Sequence, residues 1–337
     1  MKPNHKFRIH IANRNGFGET YCFACMIISS CIVMMFISKV GNFQKMIAIN
    51  KKREYERDKI LKIVNESLLV LLNNNVESEF DSMFDEIWNY NNKVIDDIHI
   101  KVKTDSGKIN FNFCPSEILD IDLLYEDTVS PIEFKDSIKK LKESNIFIIS
   151  TNDLDESINR EEFEKKFTLT SFLNCNFIDF DSIEQILSSK KINEITAREI
   201  KEKLKGRCIS KNFVCSDAEL RMILGIYYEK LCTFFNWKNR INLNFCTREV
   251  LETIFNYLGV SISKIDEILQ IREKEGLNKF SVEKIYGTSD IKKIGSVFSF
   301  VNNDYMISLD GNYIRCNVYL KRAFDENIFF VERFEWK

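Results

Sequence analysis

The chain has 337 residues, a length that suits one elaborate domain or two ordinary ones and excludes a single small module. Its 48 Lys and Arg balance 50 Asp and Glu, and the net charge of −2 excludes a binder of polyanions over the whole surface and a charged disordered tail. An apolar fraction of 45% is enough for a sizeable core, whereas three histidines (His5, His10 and His99) leave little for a histidine metal site or catalytic relay.

A membrane-spanning helix is predicted near the N-terminus. Residues 20–38 carry no charge and contain neither Pro nor Gly. As an α-helix this segment is about 30 Å long, which matches the hydrocarbon core of a bilayer. No other segment is as long and as apolar, so we expect a single pass. Basic residues exceed acidic ones on both sides, so the positive-inside rule does not by itself set the orientation.

The junction before this helix indicates the orientation. Arg14-Asn15-Gly16-Phe17 places a short basic leader, then Gly and Phe, directly before the apolar helix. This arrangement resembles the signal of type IV prepilins, which is cut on the cytoplasmic face after the Gly and leaves the helix in the membrane. The resemblance implies a leader over residues 1–16, processing between Gly16 and Phe17 by a prepilin peptidase, and methylation of the new N-terminus.

One position departs from the prepilin pattern. Pilins usually carry Glu at the fifth mature position, which here is Tyr21, and the nearest acid is Glu19. In the family that Glu is thought to neutralise the N-terminal amine of a neighbouring subunit inside the apolar filament core, where an unpaired charge is costly. A subunit without it suits the end of a filament.

Two other interpretations of the apolar segment stay open. The first is an ordinary signal anchor. The second is a lipoprotein signal, because Ile28-Ser29-Ser30-Cys31 resembles a lipobox. Strongly apolar sequence continues after Cys31, where lipoproteins normally turn polar, and this disfavours both a lipoprotein and a cleaved secretory peptide.

A helical pattern resumes beyond the membrane. Apolar residues recur at three- and four-residue spacing from Ile60 to Leu72, and a run of three Asn residues ends the pattern. We predict one long helix over residues 17–75, embedded in the membrane over residues 20–38 and amphipathic afterwards. Two helices in sequence are the alternative.

Alternating apolar and polar residues then predict strands. Residues 98–113 alternate on both sides of an Asp-Ser-Gly turn, which is typical of a β-hairpin. We place this hairpin in the first part of an α+β domain over residues 76–114. Alternation returns near the C-terminus, so residues 286–337 are expected to form an antiparallel meander that completes the same sheet.

The region between these strands is predicted to be an inserted helical domain over residues 115–285. Apolar stripes at helical spacing occur around Phe134, Ile183 and Leu220, with short loops between them. The sequence thus indicates an α+β protein with a long N-terminal helix, an antiparallel sheet and a large helical insertion.

A stretch of sequence inside this region occurs twice. Residues 109–119 read Ile-Asn-Phe-Asn-Phe-Cys-Pro-Ser-Glu-Ile-Leu, and residues 241–251 read Ile-Asn-Leu-Asn-Phe-Cys-Thr-Arg-Glu-Val-Leu. Each copy is typical of an extended segment that leads into a helix, and Asn side chains hold such turns through local hydrogen bonds. We therefore interpret four residues as structural corners that need no ligand: Asn110, Asn112, Asn242 and Asn244.

These motifs resemble a known family. Asp105-Ser-Gly-Lys-Ile-Asn-Phe-Asn112, the Phe-x-Cys-Ser-x-x-Glu-Leu stretch within residues 213–225, and residues 241–251 are similar to segments of the large minor pseudopilin of type II secretion, the general secretion pathway protein K or GspK. Residues 308–315 are loosely similar to its late strand, and the order of the segments agrees. Phe-Cys stands where the family has Thr-Ala.

The resemblance implies a pilin-like α+β core with an inserted α-helical domain. It also implies a non-enzymatic role at the tip of the pseudopilus, initiating or capping a short filament that helps to push proteins through the outer membrane. The implied partners are the GspI-like and GspJ-like minor pseudopilins, the major pseudopilin filament and the inner membrane. The N-terminus would lie in the cytoplasm and the bulk of the chain in the periplasm.

Residues 241–276 also have the pattern of a helix-hairpin-helix, as in SAM-like domains. DNA-binding versions use a Gly-apolar-Gly hairpin whose backbone amides approach a phosphate, but here Ser261 replaces the second Gly. Lys264 is the single nearby cation before Arg272, whereas binding of a phosphate backbone needs several. We expect no nucleic-acid partner, and a membrane-anchored competence-type DNA-uptake protein is the alternative function.

A weak calcium motif lies within the insertion. The segment over residues 153–164 has oxygen donors at EF-hand positions that include Asp153, Asp155 and Glu164, but Ile158 occupies the position that requires Gly for the sharp turn. An acidic solvated loop is the preferred interpretation. We expect no cofactor, with calcium at these three residues as the alternative.

Overall fold

The computed structural model describes residues 8–77, 80–144, 146–169, 173–232, 235–238, 240–323 and 328–337, without the side chains of residues 8–20 and 74–77. Its helices are α1 (Arg8–Glu77), α2 (Pro131–Glu143), α3 (Arg160–Lys166), α4 (Phe180–Ser189), α5 (Glu194–Ile209), α6 (Asp217–Leu224), α7 (Tyr228–Leu231), α8 (Arg248–Leu258), α9 (Ile265–Glu275) and α10 (Lys279–Val297). Its strands are β1 (Lys93–Ile95), β2 (Ile98–Lys103), β3 (Ile109–Asn110), β4 (Phe167–Thr168), β5 (Leu173–Asn174), β6 (Phe235–Asn236), β7 (Ile241–Asn242), β8 (Phe298–Ser299), β9 (Asp304–Asp310), β10 (Arg315–Arg322) and β11 (Phe329–Trp336).

The N-terminal helix α1 is one continuous helix of 70 residues, about 105 Å long. Every side chain of its apolar segment over residues 21–38 is exposed. Within the described part of the chain, α1 is the one helix that is long and apolar enough to cross a membrane. The predicted long helix is therefore confirmed, and it starts earlier and ends slightly later than residues 17–75.

The last turns of α1 pack on a five-stranded antiparallel sheet of order β1-β2-β9-β10-β11. Alternate residues of the strands face α1 and form one apolar core with it. Its members include Ile60, Ile63, Val64 and Leu71 from α1 and Ile98, Ile100, Val102, Tyr305, Ile307, Leu309, Val318 and Leu320 from the strands. The predicted C-terminal meander, β9-β10-β11, and its place in this sheet are confirmed.

The predicted hairpin over residues 98–113 is wrong. Strand β2 pairs with β1 and β9, whereas β3 leaves the sheet and pairs in parallel with β4. The Asp304 carboxylate at the start of β9 causes this exit, because it accepts hydrogen bonds from the Asp105 N–H at 3.0 Å and from the Thr104 and Ser106 hydroxyls at 3.1 and 3.2 Å. The Asp-Ser-Gly sequence therefore directs the chain into the insertion rather than back along β2.

A close approach of two backbones fixes the same exit. A Cβ atom on Gly107 would lie 2.3 Å from the carbonyl carbon of Phe245, and the Asn242 N–H donates to the Ser106 carbonyl at 2.5 Å. The start of the insertion thus lies directly against its last third, which the local sequence does not reveal.

The insertion leaves the sheet after β2 and returns at β9, so it is longer than the predicted residues 115–285. The predicted boundary at residue 285 lies inside α10, which continues to Val297 and is kinked at Gly287, where φ is 79°. The apolar residues of the insertion form two clusters that are separate from the core under the sheet. The insertion thus has its own core, as expected for an independent helical unit.

One carboxylate of α1 holds the tip of the β9–β10 hairpin. Glu56 is 7% exposed, and its carboxylate accepts backbone hydrogen bonds from Asn312, Tyr313 and Ile314 at 3.1, 2.8 and 3.2 Å. A Cβ atom on Gly311 would lie 2.7 Å from Oε2 of Glu56, so the turn fits the carboxylate closely. Charge-assisted bonds of this kind fix the sheet along α1.

We predict that Glu56→Ala lowers the free energy of unfolding of the head by about 3 kcal/mol, because it leaves three partly buried N–H groups without an acceptor. The change is measured by urea unfolding of the full-length protein in detergent. Glu54→Ala, which removes an exposed carboxylate from the same helix, is the matched control and should change stability by less than about 0.5 kcal/mol. Equal losses in the two variants would contradict the role given to Glu56.

Candidate functional site: three asparagine corners

The four predicted corner residues belong to a structural element that occurs three times. We call residues 109–113 corner 1, residues 173–177 corner 2 and residues 241–245 corner 3. Each corner begins with a two-residue strand that pairs in parallel with a later two-residue strand: β3 with β4, β5 with β6 and β7 with β8. Module 1 (109–168), module 2 (173–236) and module 3 (241–299) are the segments that these pairs enclose.

The second Asn of each corner makes the same pair of hydrogen bonds. The amide of Asn112 donates to the Ile148 carbonyl at 2.9 Å and accepts from the Ile148 N–H at 3.1 Å. In module 2, Asn176 makes both bonds with Val214 at 2.8 Å. In module 3, Asn244 makes them with Leu277 at 2.9 and 2.6 Å. Each Asn therefore binds the backbone of a distant extended residue as another strand would.

A side chain five or six residues before each bound backbone also contacts a carbonyl in the corner or directly after it. Nζ of Lys142 donates to the Asn112 carbonyl at 2.9 Å in module 1, and the Cys208 thiol contacts the Asn176 carbonyl at 3.8 Å in module 2. In module 3 the guanidinium of Arg272 donates to the Cys246 carbonyl at 2.7 Å. The insertion is thus built from three consecutive copies of one supersecondary unit.

Sequence reasoning found corners 1 and 3 and missed corner 2. Its sequence, Leu173-Asn-Cys-Asn-Phe177, keeps the apolar-Asn-x-Asn-Phe pattern of the other two. After the Phe the copies diverge, because the Cys-Pro-Ser-Glu sequence that follows corner 1 has no counterpart after corner 2. A search for the five-residue pattern alone would have shown the threefold repeat.

Corner 3 connects the insertion to the sheet. The amide of Asn242 donates to Oδ1 of Asn302 at 2.8 Å, and the Asn302 amide donates to the hydroxyl of Tyr305 in β9 at 2.8 Å. Asn244 donates a further hydrogen bond to the Asp81 carbonyl at 3.0 Å. Asn242 and Asn244 are 0% and 1% exposed, so their hydrogen-bonding groups are satisfied entirely inside the protein.

A buried ion pair lies next to corner 3. The Asp81 carboxylate accepts from the Arg322 guanidinium at 2.6 Å and from the Asn302 N–H at 2.5 Å. Burial raises the pKa of Asp81 above its ordinary value, and the positive charge of Arg322 acts in the opposite direction. These bonds of Asp81 therefore join three parts of the chain at one point: the segment after α1, the end of the insertion and strand β10.

The segment predicted as a helix-hairpin-helix contains helices α8 and α9, and three of its basic side chains bond other groups of the chain. Helices α8 and α9 flank Gly259, which ends α8 in the left-handed conformation. Nζ of Lys264 donates to the Ile285 carbonyl at 2.6 Å, and Arg272 bonds the backbone of corner 3. Arg248, at the start of α8, pairs with Glu252 and Asp266. Lys264, Arg272 and Arg248 are thus engaged with other groups of the chain, whereas binding of a phosphate backbone needs several available cations.

The weak calcium candidates serve local hydrogen bonds. The Asp153 carboxylate accepts from the Ser150 N–H, that of Asp155 from the Ser157 N–H, and that of Glu164 from the Thr151 hydroxyl, each at 3.0 Å. Within the described part of the chain, no three His, Cys, Asp or Glu residues converge as a metal site. Calcium at Asp153, Asp155 and Glu164 stays the alternative prediction.

The predicted processing residues lie in the first part of α1. Gly16 and Phe17 are helical, and their side chains lie outside the described ones. The apolar residues that follow them are exposed in the described structure, starting at Tyr21, which is 70% exposed. Processing at this position stays a prediction.

Comparison with known proteins gives a similarity of structure but none of sequence. No protein-family model matches the sequence, and no curated protein matches it. The chain is similar to a chain in the crystal structure of the GspK-GspI-GspJ complex from the type 2 secretion system of enterotoxigenic Escherichia coli. The match covers 86% of this chain and 98% of that chain, with a TM-score of 0.37 and 13% sequence identity.

We predict that Asn244→Ala lowers the free energy of unfolding by about 3 kcal/mol or more, because it leaves the buried polar groups of Leu277 and the Asp81 carbonyl without partners. Asn212→Ala, at an exposed position, is the matched control and should be nearly neutral. Urea unfolding followed by tryptophan fluorescence measures both changes. Similar midpoints for Asn244→Ala and the unmodified protein would show that corner 3 does not hold the insertion to the sheet.

Proposed function

We propose that the chain is a minor pseudopilin at the tip of a type II secretion pseudopilus, where it initiates or caps the filament for protein export across the outer membrane. The observation that carries this proposal is the continuous helix α1, which has a fully exposed apolar segment over residues 21–38 and a folded head at its other end. Such a helix needs lipid or other apolar helices around it, because water does not solvate a long apolar surface.

The shape of the head supports a place at the end of a filament. A filament made by packing N-terminal helices side by side also stacks the heads that those helices carry. Here the chain between β2 and β9 forms three helical modules beside the sheet. A head of this bulk is difficult to repeat along a filament and is easily accommodated at its tip.

The partners and the location follow from the same proposal. Smaller minor pseudopilins of the GspI and GspJ types would contact α1 and the head, and the major pseudopilin would continue the filament below. The N-terminus would lie in the cytoplasm and the head in the periplasm. The proposed role includes no catalytic step, and the three corners serve in it only as structural elements.

The proposal predicts that the mature protein begins at Phe17 with a methylated N-terminus. N-terminal sequencing and mass spectrometry of the membrane fraction measure this directly. Gly16→Val should block the cut, since a branched side chain replaces the small residue before the cleaved bond, and the full-length chain should accumulate.

Gly18→Val is the matched control for the processing experiment, because it makes the same change two residues later and should leave the cut intact. A mature N-terminus at a lipidated Cys31 would contradict the prepilin interpretation. An unprocessed chain that starts at Met1 would contradict it as well.

A further inference from the structure

A cavity lies where the insertion meets the sheet. Its volume is about 330 Å³, which is within the range of small-molecule sites. The lining includes residues from corner 1, corner 2, the start of corner 3 and strands β10 and β11, so the cavity touches all three modules and the sheet. Its apolar side chains are those of Phe113, Phe177, Ile241, Val297 and Phe330.

One cation in this cavity has no carboxylate partner. Among the described residues, four basic side chains line the cavity, and three of them form ion pairs. The three pairs are Lys108–Asp105 at 2.5 Å, Lys321–Glu332 at 2.6 Å and Arg322–Asp81 at 2.6 Å. The fourth basic residue, Arg240, makes no ion pair within the described part of the chain.

The guanidinium of Arg240 is fixed in place but has an unused donor. Its Nη1 donates to the Gly295 carbonyl in α10 at 2.7 Å, and the group lies over the Trp237 ring, 5.3 Å from the ring centroid. Its Nε is buried and has no hydrogen-bond partner among the described residues. Burial lowers the pKa of Arg240 below its ordinary value, because the charge is held away from water. An anion that accepts from this guanidinium would offset that cost.

Asp304 also lines the cavity, but its carboxylate is engaged elsewhere. Its Oδ1 accepts from the Asp105 N–H and from the hydroxyls of Thr104 and Ser106. Burial and the neighbouring Asp105 carboxylate raise the pKa of Asp304, so its charged form is disfavoured. Within the described residues it makes no ion pair with Arg240. The guanidinium is therefore open to a counter-ion that enters the cavity.

The lining defines the chemistry of that counter-ion. One unpaired cation matches one negative charge, whereas a doubly charged phosphate would bring a second charge that has no partner in the cavity. A guanidinium presents its N–H groups as a planar fork that matches the geometry of a carboxylate. The phenylalanine, isoleucine and valine side chains of the lining favour an apolar group on the same molecule.

We propose that this cavity binds a small amphipathic monocarboxylate, with its carboxylate on the Arg240 guanidinium and its apolar group among Phe113, Phe177 and Phe330. Because the cavity is lined by all three modules and by the sheet, the bound molecule would hold the insertion in one position on the sheet. The site is built from the head alone and does not depend on a place of the chain in a filament.

The test uses the full-length protein in detergent and N-acetyl-phenylalanine as the probe. N-acetyl-phenylalaninamide is the uncharged analogue of the same shape. Isothermal titration calorimetry measures both dissociation constants after subtraction of a titration into detergent alone. We expect a dissociation constant of about 1 mM or lower for the acid and at least about tenfold weaker binding of the amide, which lacks the charge that pairs with Arg240.

Arg240→Gln should weaken binding of the acid to the level of the amide, because it removes the cation. Arg221→Gln is the matched control, since Arg221 also lies over an aromatic ring, that of Tyr228, but pairs with Glu229 and is not part of the cavity lining. This control should bind the acid as the unmodified protein does.

A second pair of variants leaves Arg240 in place. Phe330 lines the cavity on β11 and is 47% exposed, so Phe330→Asp should be tolerated by the fold and should weaken binding of the acid about tenfold by repulsion between carboxylates. Phe334→Asp, on the same strand and outside the lining, should leave the affinity unchanged. If circular dichroism shows that Arg240→Gln does not fold, this pair decides the outcome.

Three results would overturn the proposal: no binding of the acid at about 10 mM, equal binding of the acid and the amide, or an unchanged affinity in the folded cavity variants. Inorganic phosphate is titrated in the same way. Tighter binding of phosphate than of the acid, lost in Arg240→Gln, would also overturn the proposal, because the ligand would then be a phosphate.

Discussion

The apolar surface of α1 is the constraint on which the rest of the architecture depends. Residues 21–38 of α1 carry no charge and their side chains are all exposed, whereas further along the helix Ile60, Ile63 and Val64 pack on the sheet. The helix thus has one segment that the head covers and one that the head leaves exposed. Under the proposed function, lipid or neighbouring apolar helices would cover the exposed segment by the same burial of apolar surface that holds the sheet on the other.

The head uses polar contacts to define how its parts meet. Apolar packing of α1 on the sheet is non-directional, whereas the Glu56 carboxylate fixes one hairpin tip by three backbone amides. The insertion is likewise joined to the sheet through Asn242, Asn302 and the Asp81–Arg322 ion pair. Buried polar groups of this kind are costly when unpaired, so they favour a single arrangement of sheet and insertion.

The periodicity of the sequence predicted most of the fold. The long helix, the C-terminal meander and the helical character of the insertion all follow from spacing of apolar residues, which is a local signal. The hairpin prediction failed because the turn after β2 is decided by Asp304, far along the chain. The extent of the insertion was missed for the same reason, since its ends are defined by long-range pairing with β9.

The corners show a second limit of sequence reasoning. Asn110, Asn112, Asn242 and Asn244 could be identified because two long copies stand out by identity, whereas corner 2 keeps only five residues of the pattern. What each Asn binds could not be predicted, because Ile148, Val214 and Leu277 share no polar signature: their backbones make the contacts. The contact of residues 80–82 with corner 3 could not be predicted either, since Asn244 binds this segment through the carbonyl group of Asp81.

The most direct test of the account is the position of the head relative to the membrane. Protease added to cells with an opened outer envelope and an intact inner membrane should digest the head and leave a short protected fragment that contains residues 20–38. Digestion only after the inner membrane is lysed would place the head in the cytosol and contradict the account. Recovery of the protein in the soluble fraction would contradict the account equally, because the exposed apolar segment of α1, residues 21–38, would then have no membrane around it.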